Sequence, residues 1–460
     1  MQIHPNDNVE VNIENGHKYA LSDIASGEQI IKYGFPIGVA KCDIKKGEHV
    51  HTHNLKTGLG ELLSYTYEPV EIPAYPAPEQ VPTFMGYERE NGDVGIRNDI
   101  WIINTVGCVN KTAERLSALT GAFSFPHPFG CSQLGDDHEL TQKILKGLIN
   151  HPNAGGVLVL GLGCENNNIP AFQKVLGEVN PNRVKFLITQ EVEDEIADGV
   201  RLINELKAYA ETQVRTPIPV SRLRVGLKCG GSDGYSGITA NPLVGRFSDR
   251  LIALGGSTIL SEVPEMFGAE TILMNRCVNE EIFEKNVNLI NRFKEYFIAH
   301  NQVVYENPSP GNKEGGITTL EEKSLGCVQK GGSAAVVDVL DYGDVMEKNG
   351  LNLLNGPGND IVAVTNLAAA GAHLILFTTG RGTPLGAPVP TVKVATNSRL
   401  AEKKSNWIDF DAGVLLSGAN SDKTDDAFFE KILAVASGEE TKNELNGYRE
   451  ISICKDGVTL

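Results

Sequence analysis

The sequence predicts an α/β protein: a small all-β unit followed by a larger part built on mainly parallel sheets. Three observations carry this expectation. Short apolar runs alternate with helical patterns beyond residue 84, a proline-rich stretch precedes them, and the first 68 residues hold only short alternating segments punctuated by glycine. At 460 residues the chain exceeds what one hydrophobic core usually supports, so division into parts is expected on size alone.

In chain order, HKYALSDI, QIIKYG, IGVAKCDI and EHVHTHNL read as strands of a β unit over residues 1–68. EPVEIPAYPAPEQVP then carries Pro69, Pro73, Pro76, Pro78 and Pro82. That spacing forbids helix and favours an extended linker over 69–83. Next, DDHELTQKILKGLI and EVEDEIADGVRLINELKAYAETQV show helical patterns, while AGGVLVLGLG and VKFLITQ are apolar runs of strand length. RTPIPVS marks a boundary, so the α/β part divides into 84–220 and 221–460. In the second half RLRVGLK, GSTILSEV, HLILFTTG and TVKVATN read as strands, with a helix over NEEIFEKNVNLINRFKEYFIAH.

With 41% hydrophobic and 22% charged residues, the composition is that of an ordinary soluble globular protein. Lys+Arg 41 against Asp+Glu 58 gives −17, which argues against nucleic acid or an anionic membrane as partner. An anionic substrate must therefore be captured by a local cationic pocket. MQIHPNDNVE has neither a basic nor an apolar leader pattern, and the longest apolar stretch, Ile361–Phe377, is broken by Thr365, Asn366, Gly371 and His373. A cytoplasmic location is expected, with the eight cysteines reduced.

Those cysteines have unusual neighbours. Cys108, Cys131, Cys164 and Cys327 each follow a glycine, and Cys229 precedes Gly230-Gly231. A thiol beside glycine can be approached closely by a ligand or metal. Cys42, Cys277 and Cys454 lack this setting and read as structural. Six glycine-rich polar stretches follow strand-like runs, among them GLGCENNN, KCGGSDGYSGITANP, SEVPEMFGAE and TTGRGTPLG. In α/β proteins such loops build the ligand site. None is a nucleotide-phosphate fingerprint, and there is no C-x-x-C pair for a zinc ribbon.

Two stretches invite opposing readings. His49, His51 and His53 at period two would share one strand face, suited to a transition metal, to proton transfer, or simply to solvent. In FPHPFGCSQLGDDHE, His127 and Cys131 could form a nucleophile pair. A metal reading agrees better with the other glycine-flanked thiols, and Asp136 and Asp137 serve equally well as helix-capping acids.

Taken together, GEHVHTHN, ENGDVGIRN, TVGCVN, FGCSQLGDDH, GLGCENN, LKCGGSDGYSGITANP, EVPEMFGAE, ENPSPGNKEGGITTLEEKSLGC and TTGRGTP resemble the altronate/galactarate dehydratase family, from about residue 2 to the terminal DGVTL. The resemblance implies an N-terminal SAF-type β-clip domain joined to an α/β catalytic part. It implies dehydration of a sugar acid to a 2-keto-3-deoxy acid, with Fe(II) as the activating metal. Related sulfo-lyases carry the two parts on separate chains. Overall similarity, including WIDFDAG, favours D-altronate as substrate and 2-keto-3-deoxy-D-gluconate as product. The alternatives are galactarate dehydratase, sulfolactate sulfo-lyase, and a sugar-acid binding protein without catalysis.

That chemistry asks for defined parts. Removing a proton alpha to a carboxylate needs electrophilic stabilisation by a metal, a general acid for the leaving hydroxyl, and cations to hold the carboxylate. Under the resemblance, His51 and His53 are candidates for base, acid or metal ligand. Cys131, Cys164 and Cys327, then Cys229, are the candidate metal ligands. Lys313 and Arg381 are the candidates for carboxylate and hydroxyl recognition, with Ser232 and Asn241 as further substrate contacts. Glu165 and Glu262 stand as acid, base or hard ligand. Fe(II) is expected as cofactor, with an iron–sulfur cluster as the alternative the thiolates admit. A homo-oligomer is expected from size and class.

Overall fold

Alternation of buried and exposed residues over short segments forms the N-terminal sheets. The computed structural model describes residues 1–60, 62–75 and 80–457. Pro76 and Pro78 of the proline-rich stretch, and residues 458–460 of DGVTL, lie outside the described residues. Six strands, β1 (Val9–Val11), β2 (Lys18–Ala20), β3 (Gln29–Lys32), β4 (Phe35–Ala40), β5 (His49–Val50) and β6 (Leu55–Lys56), pair into two sheets ordered β1-β2-β5 and β3-β4-β6. All pairings are antiparallel.

A unit this small cannot bury enough apolar surface by itself. Ile24, Ile30, Ile37, Ile44 and Val50 accordingly belong to one apolar cluster with Leu227, Leu260 and Leu320 of the C-terminal part. The extended linker over 69–83 and the residues just before it are also pinned down. The Tyr65, Tyr67 and Tyr75 hydroxyls donate to Glu270, to the Cys277 carbonyl and to Asp249, and the Val70 amide donates to the Asn275 carbonyl. Proline denies it secondary structure, yet tyrosines strap it to the larger part.

The middle of the chain contains β7 (Thr83–Glu88), β8 (Val94–Gly95), β9 (Asp99–Asn104), β10 (Phe123–Ser124), β11 (Ala154–Gly161), β12 (Val184–Ile188) and β13 (Thr216–Pro219). A parallel sheet runs β10-β9-β11-β12, and β11 is buried along its whole length, as its unbroken apolar run requires. Helices Gly135–Ile149 and Glu195–Glu211 form where periodicity placed them, the second capped by the Asp194 carboxylate. RTPIPVS, read as a boundary, contains the edge strand β13, which pairs antiparallel with β7 and closes this part back on its own start. Edge placement tolerates Pro217 and Pro219.

The C-terminal part contributes β14 (Arg224–Cys229), β15 (Ser257–Leu260), β16 (Val336–Leu340), β17 (Leu351–Leu354), β18 (Leu374–Thr379), β19 (Thr391–Ala395) and β20 (Phe410–Asp411). These form a wholly parallel sheet ordered β16-β17-β15-β14-β18-β19-β20. After β14 the chain builds outward through β15, then returns to add β18 on the opposite side. β14 is thus the topological switch point, outside whose carboxyl end an α/β sheet opens a crevice for ligands. No described helix is long and apolar enough to cross a membrane.

Candidate active site

Outside the carboxyl ends of β14, β15 and β17 lies a cleft of about 900 Å³. Its walls include Gly230, Glu265, Asn307, Asn312, Lys313, Lys323 and Asp360. Below it, Cys229 at the end of β14 meets Cys327 at the end of the helix Leu320–Cys327, their Sγ atoms 3.4 Å apart. Both thiols point at the Glu265 carboxylate, at 3.0 and 3.1 Å. Among the described residues, these three form the one group of His, Cys, Asp or Glu whose ligand atoms all lie within 4.8 Å.

Three buried lysines surround the group. Lys330 Nζ donates to Cys229 Sγ at 2.9 Å, and Lys323 Nζ pairs with Glu265 at 2.7 Å. Lys228, from the buried interior of β14, pairs with Glu262 and with Asp360. Glu262 also accepts the Cys229 amide, and its backbone sits in the left-handed region at φ 70°, a strained position for glutamate. The charges set each other's protonation. Burial would raise Glu265, but the ammonium groups of Lys323, Lys228 and Lys330 outweigh it and hold the carboxyl well below its usual range. Burial dominates at Glu262 and pushes it up. The contact with Cys327 brings Cys229 down to about 6, and the same contact drives Cys327 up, so one thiolate is shared by the pair.

The donor set suits a divalent transition metal. Ligand atoms about 2.3 Å from a tetrahedral ion stand roughly 3.8 Å apart, a small expansion of the spacing seen here. Two thiolates and a carboxylate around a dication leave one negative charge, which Lys330 and Lys323 are placed to offset.

The N-terminal unit brings a group of imidazoles to the loops walling the cleft. His17 Nδ1 lies 3.0 Å from His49 Nε2, and the rings of His51 and His53 lie 5.4 and 5.6 Å from that of His49. The three histidines do not share a strand face as period two suggested. β5 stops at Val50, and Asn54 Oδ1 takes the His51 amide to form a turn. His51 Nε2 donates to the Lys313 carbonyl oxygen at 2.9 Å, tying the turn to the cleft wall. Burial lowers both His49, to about 4, and His51, so both imidazoles are neutral at pH 7.

The helix Leu320–Cys327 joins the two parts. Lys18 and Lys32 each place Nζ 2.8 Å from the buried Glu322 carboxylate, and Thr57 and Gly58 donate to Glu321. The next residue of the same helix is Lys323, and the helix ends in Cys327.

The thiols expected in one set fall into two. Cys131 and Cys164 are exposed on loops of the β10-β9-β11-β12 sheet, whereas Cys229 and Cys327 are buried, and among the described residues the two pairs join no common ligand group. Glu165 belongs with the exposed pair. It accepts Thr105 Oγ1 and the Leu162 and Gly163 amides, bracing the turn that bears Cys164. His127 is not a base for Cys131, because Nε2 donates to the Asn104 carbonyl and Nδ1 accepts the Phe129 amide. Asn241 is buried, bonded to Thr378 and the Gly326 carbonyl, and borders a small cavity with Ser232 and Cys327. Ser232 Oγ is buried beside Asn312 without a hydrogen-bond partner among the described residues. Arg381, at the rim, forms an exposed pair with Glu314.

Sequence reasoning did not single out Glu265, Lys228, Lys323, Lys330, Asp360 or His17. One signal was available: a lysine inside the apolar strand RVGLKC must be paired if the strand is buried.

Three family models match the chain: "Altronate/galactarate dehydratase SAF domain" over residues 1–58, "D-galactarate dehydratase/Altronate hydrolase, second domain" over 86–211, and "D-galactarate/Altronate dehydratase, C-terminal" over 220–459. The chain belongs to the altronate/galactarate dehydratase family. Within it, an altronate dehydratase of Escherichia coli (strain K12) is 54% identical, covering 97% of this chain and 92% of its own. An altronate dehydratase of Bacillus subtilis (strain 168) is 55% identical over 98% and 93%. A galactarate dehydratase (L-threo-forming) of Escherichia coli (strain K12) is 33% identical over 93% and 87%. Each part of the family's organisation is therefore present, with the SAF domain seated on the C-terminal sheet beside the cleft.

Proposed function

We propose that this chain is a hydro-lyase that converts D-altronate to 2-keto-3-deoxy-D-gluconate. The observation that carries the substrate is the full-length identity of 54–55% to two altronate dehydratases, against 33% to a galactarate dehydratase. Lys313 and Lys323 line the cleft beside Glu265, Glu306, Asp360 and Glu450, so an anionic substrate would be met by these local cations and not by the field of a chain of net charge −17.

Fe(II) is the metal we assign to Cys229, Cys327 and Glu265. When bound, it would withdraw electron density from a substrate oxygen and so acidify the neighbouring C–H bond. The chain's own residues do the rest. Lys313, Asn307 and Asn312 hold the carboxylate and hydroxyls in the cleft. Arg381 exchanges its exposed partner Glu314 for the substrate carboxylate, at small cost because exposed pairs contribute little. His51 keeps its proton on Nε2 and accepts the C2 proton at Nδ1. The Lys323 ammonium protonates the departing C3 hydroxyl, water leaves, and the resulting enol tautomerises to the ketone. Glu262 holds Lys228 and the Cys229 amide in place beneath the cleft.

The test is anaerobic turnover of D-altronate, with galactarate and sulfolactate alongside, with Fe(II) added or chelated. Iron-dependent 2-keto-3-deoxy product from altronate is expected, and loss of it in His51→Ala and Lys323→Met. Turnover of galactarate alone would overturn the substrate, and undiminished turnover after chelation would overturn the metal.

A further inference from the structure

We propose that Cys108, Cys131 and Cys164 form a second, separate site that binds a [4Fe–4S] cluster through three thiolates. The site lies at the carboxyl ends of β9 and β11, the central strands of the middle sheet, where a parallel sheet offers its ligand position.

The three cysteine turns are stitched directly to one another. The Gly107 amide donates to the Phe129 carbonyl, joining the Cys108 turn to the Cys131 turn. The Asn167 amide donates to the Gly130 carbonyl, and the Ser132 amide to Asn166 Oδ1, joining the Cys131 turn to the Cys164 turn. Glycine before the thiol is what permits this approach. A Cβ on Gly107 would press on the His127 carbonyl oxygen, and one on Gly130 would collide with the Thr105 carbonyl. Ser132, directly after Cys131, is held at φ 51°, a conformation that costs energy for serine and clusters at functional sites.

All three thiols are exposed, and among the described residues no strong partner saturates them. Cys131 Sγ has only Ser132 Oγ at 4.0 Å, and Cys164 Sγ only the Gln190 amide at 3.5 Å. Buried structural cysteines have no use for this arrangement. Among the described residues these three Sγ atoms form no group within 4.8 Å of one another, so they are not gathered round a single ion. Ser132, Asn166 and Gln190 lie beside the thiols, neutral and weak as ligands, and would leave the fourth iron an exchangeable oxygen ligand.

Ligation is balanced without an electron donor. Two ferrous, two ferric and four sulfide ions give the dicationic core, and the three thiols lose three protons to solvent as the Fe–S bonds form.

The full-length chain, purified anaerobically and incubated with ferrous and ferric salts and sulfide, tests this. About four iron and four acid-labile sulfide per chain are expected, with visible charge-transfer absorption and an electron paramagnetic signal after reduction. Iron bound at the cleft adds no labile sulfide, so the two sites are counted apart. Cys108→Ser, Cys131→Ser and Cys164→Ser should each lose the sulfide, while Cys229→Ser and Cys42→Ser keep it. Circular dichroism of the serine variants checks that the exposed changes leave the fold intact. Iron without sulfide in the unaltered chain, or a cluster that survives Cys131→Ser and Cys164→Ser, would overturn the proposal.

Discussion

Lys330 is fully buried, and its Nζ lies 2.9 Å from Cys229 Sγ and 3.8 Å from Glu262 Oε2. An ammonium in that position selects the thiolate form of its neighbour and would balance the charge of the metal site proposed there. Its own charge is secure, since the thiols and carboxylates around it overcome burial and raise it above the ordinary lysine value. Lys330→Met removes this support while keeping most of the volume. Iron affinity and turnover should fall by roughly 10–100-fold, as for other partners of metal ligands, with the fold retained. Iron titration separates this from a packing defect: a variant that binds iron normally yet turns over slowly would deny Lys330 its role at the thiolate.

At the scale of the element, the helix Leu320–Cys327 carries most of the site's organisation. Glu322 on this helix is buried between Lys18 and Lys32 of the N-terminal unit, and their attraction holds it ionised despite burial. The price is partly visible in Lys18, which burial lowers to about 8. Glu322→Ala strands two buried ammonium groups, a class of change that costs about 3–5 kcal/mol. Denaturant unfolding should show that loss, and activity should fall further because Lys323 and Cys327 share the helix. Equal stability of variant and parent would refute the docking role. Such couplings explain what the sequence disclosed and what it hid. AGGVLVLGLG and RLRVGLK were legible because a parallel strand buried on both faces is an unbroken apolar run. The helices at 135–149 and 195–211 were legible from period and capping. His49, His51 and His53 misled because a two-residue strand and an Asn54 turn defeat a period-two argument. Cys131 and Cys229 carry the same glycine signature in sequence. Only strand order shows that one sits on the middle sheet and the other at the switch point of the C-terminal sheet.

For the whole molecule, buried histidines set the response to acid. Burial lowers His151, to about 3, and also lowers His127 and His373. Each is neutral in the folded chain at pH 7, and between its lowered value and the ordinary imidazole value it takes its proton on unfolding. Below the ordinary imidazole value of about 6.5, the unfolded chain binds protons that the folded chain does not, so stability falls with pH by up to ~1.4 kcal/mol per unit per group. For His151 this loss ends near pH 3, where the folded form itself titrates. Unfolding free energies at pH 7.5, 6.5 and 5.5 should therefore decline across the lower step. His151→Gln should flatten the decline, and a flat profile in the parent would exclude the effect. The seating of the N-terminal unit has a consequence of another kind. A tethered module is held near its dock at an effective concentration of order millimolar. Specific activity should then be indifferent to dilution of the enzyme. With the same surface divided between two chains, dilution would release the imidazoles from the cleft and leave Glu322 without its lysines, so the bond between the two parts makes catalysis first order in a single molecule.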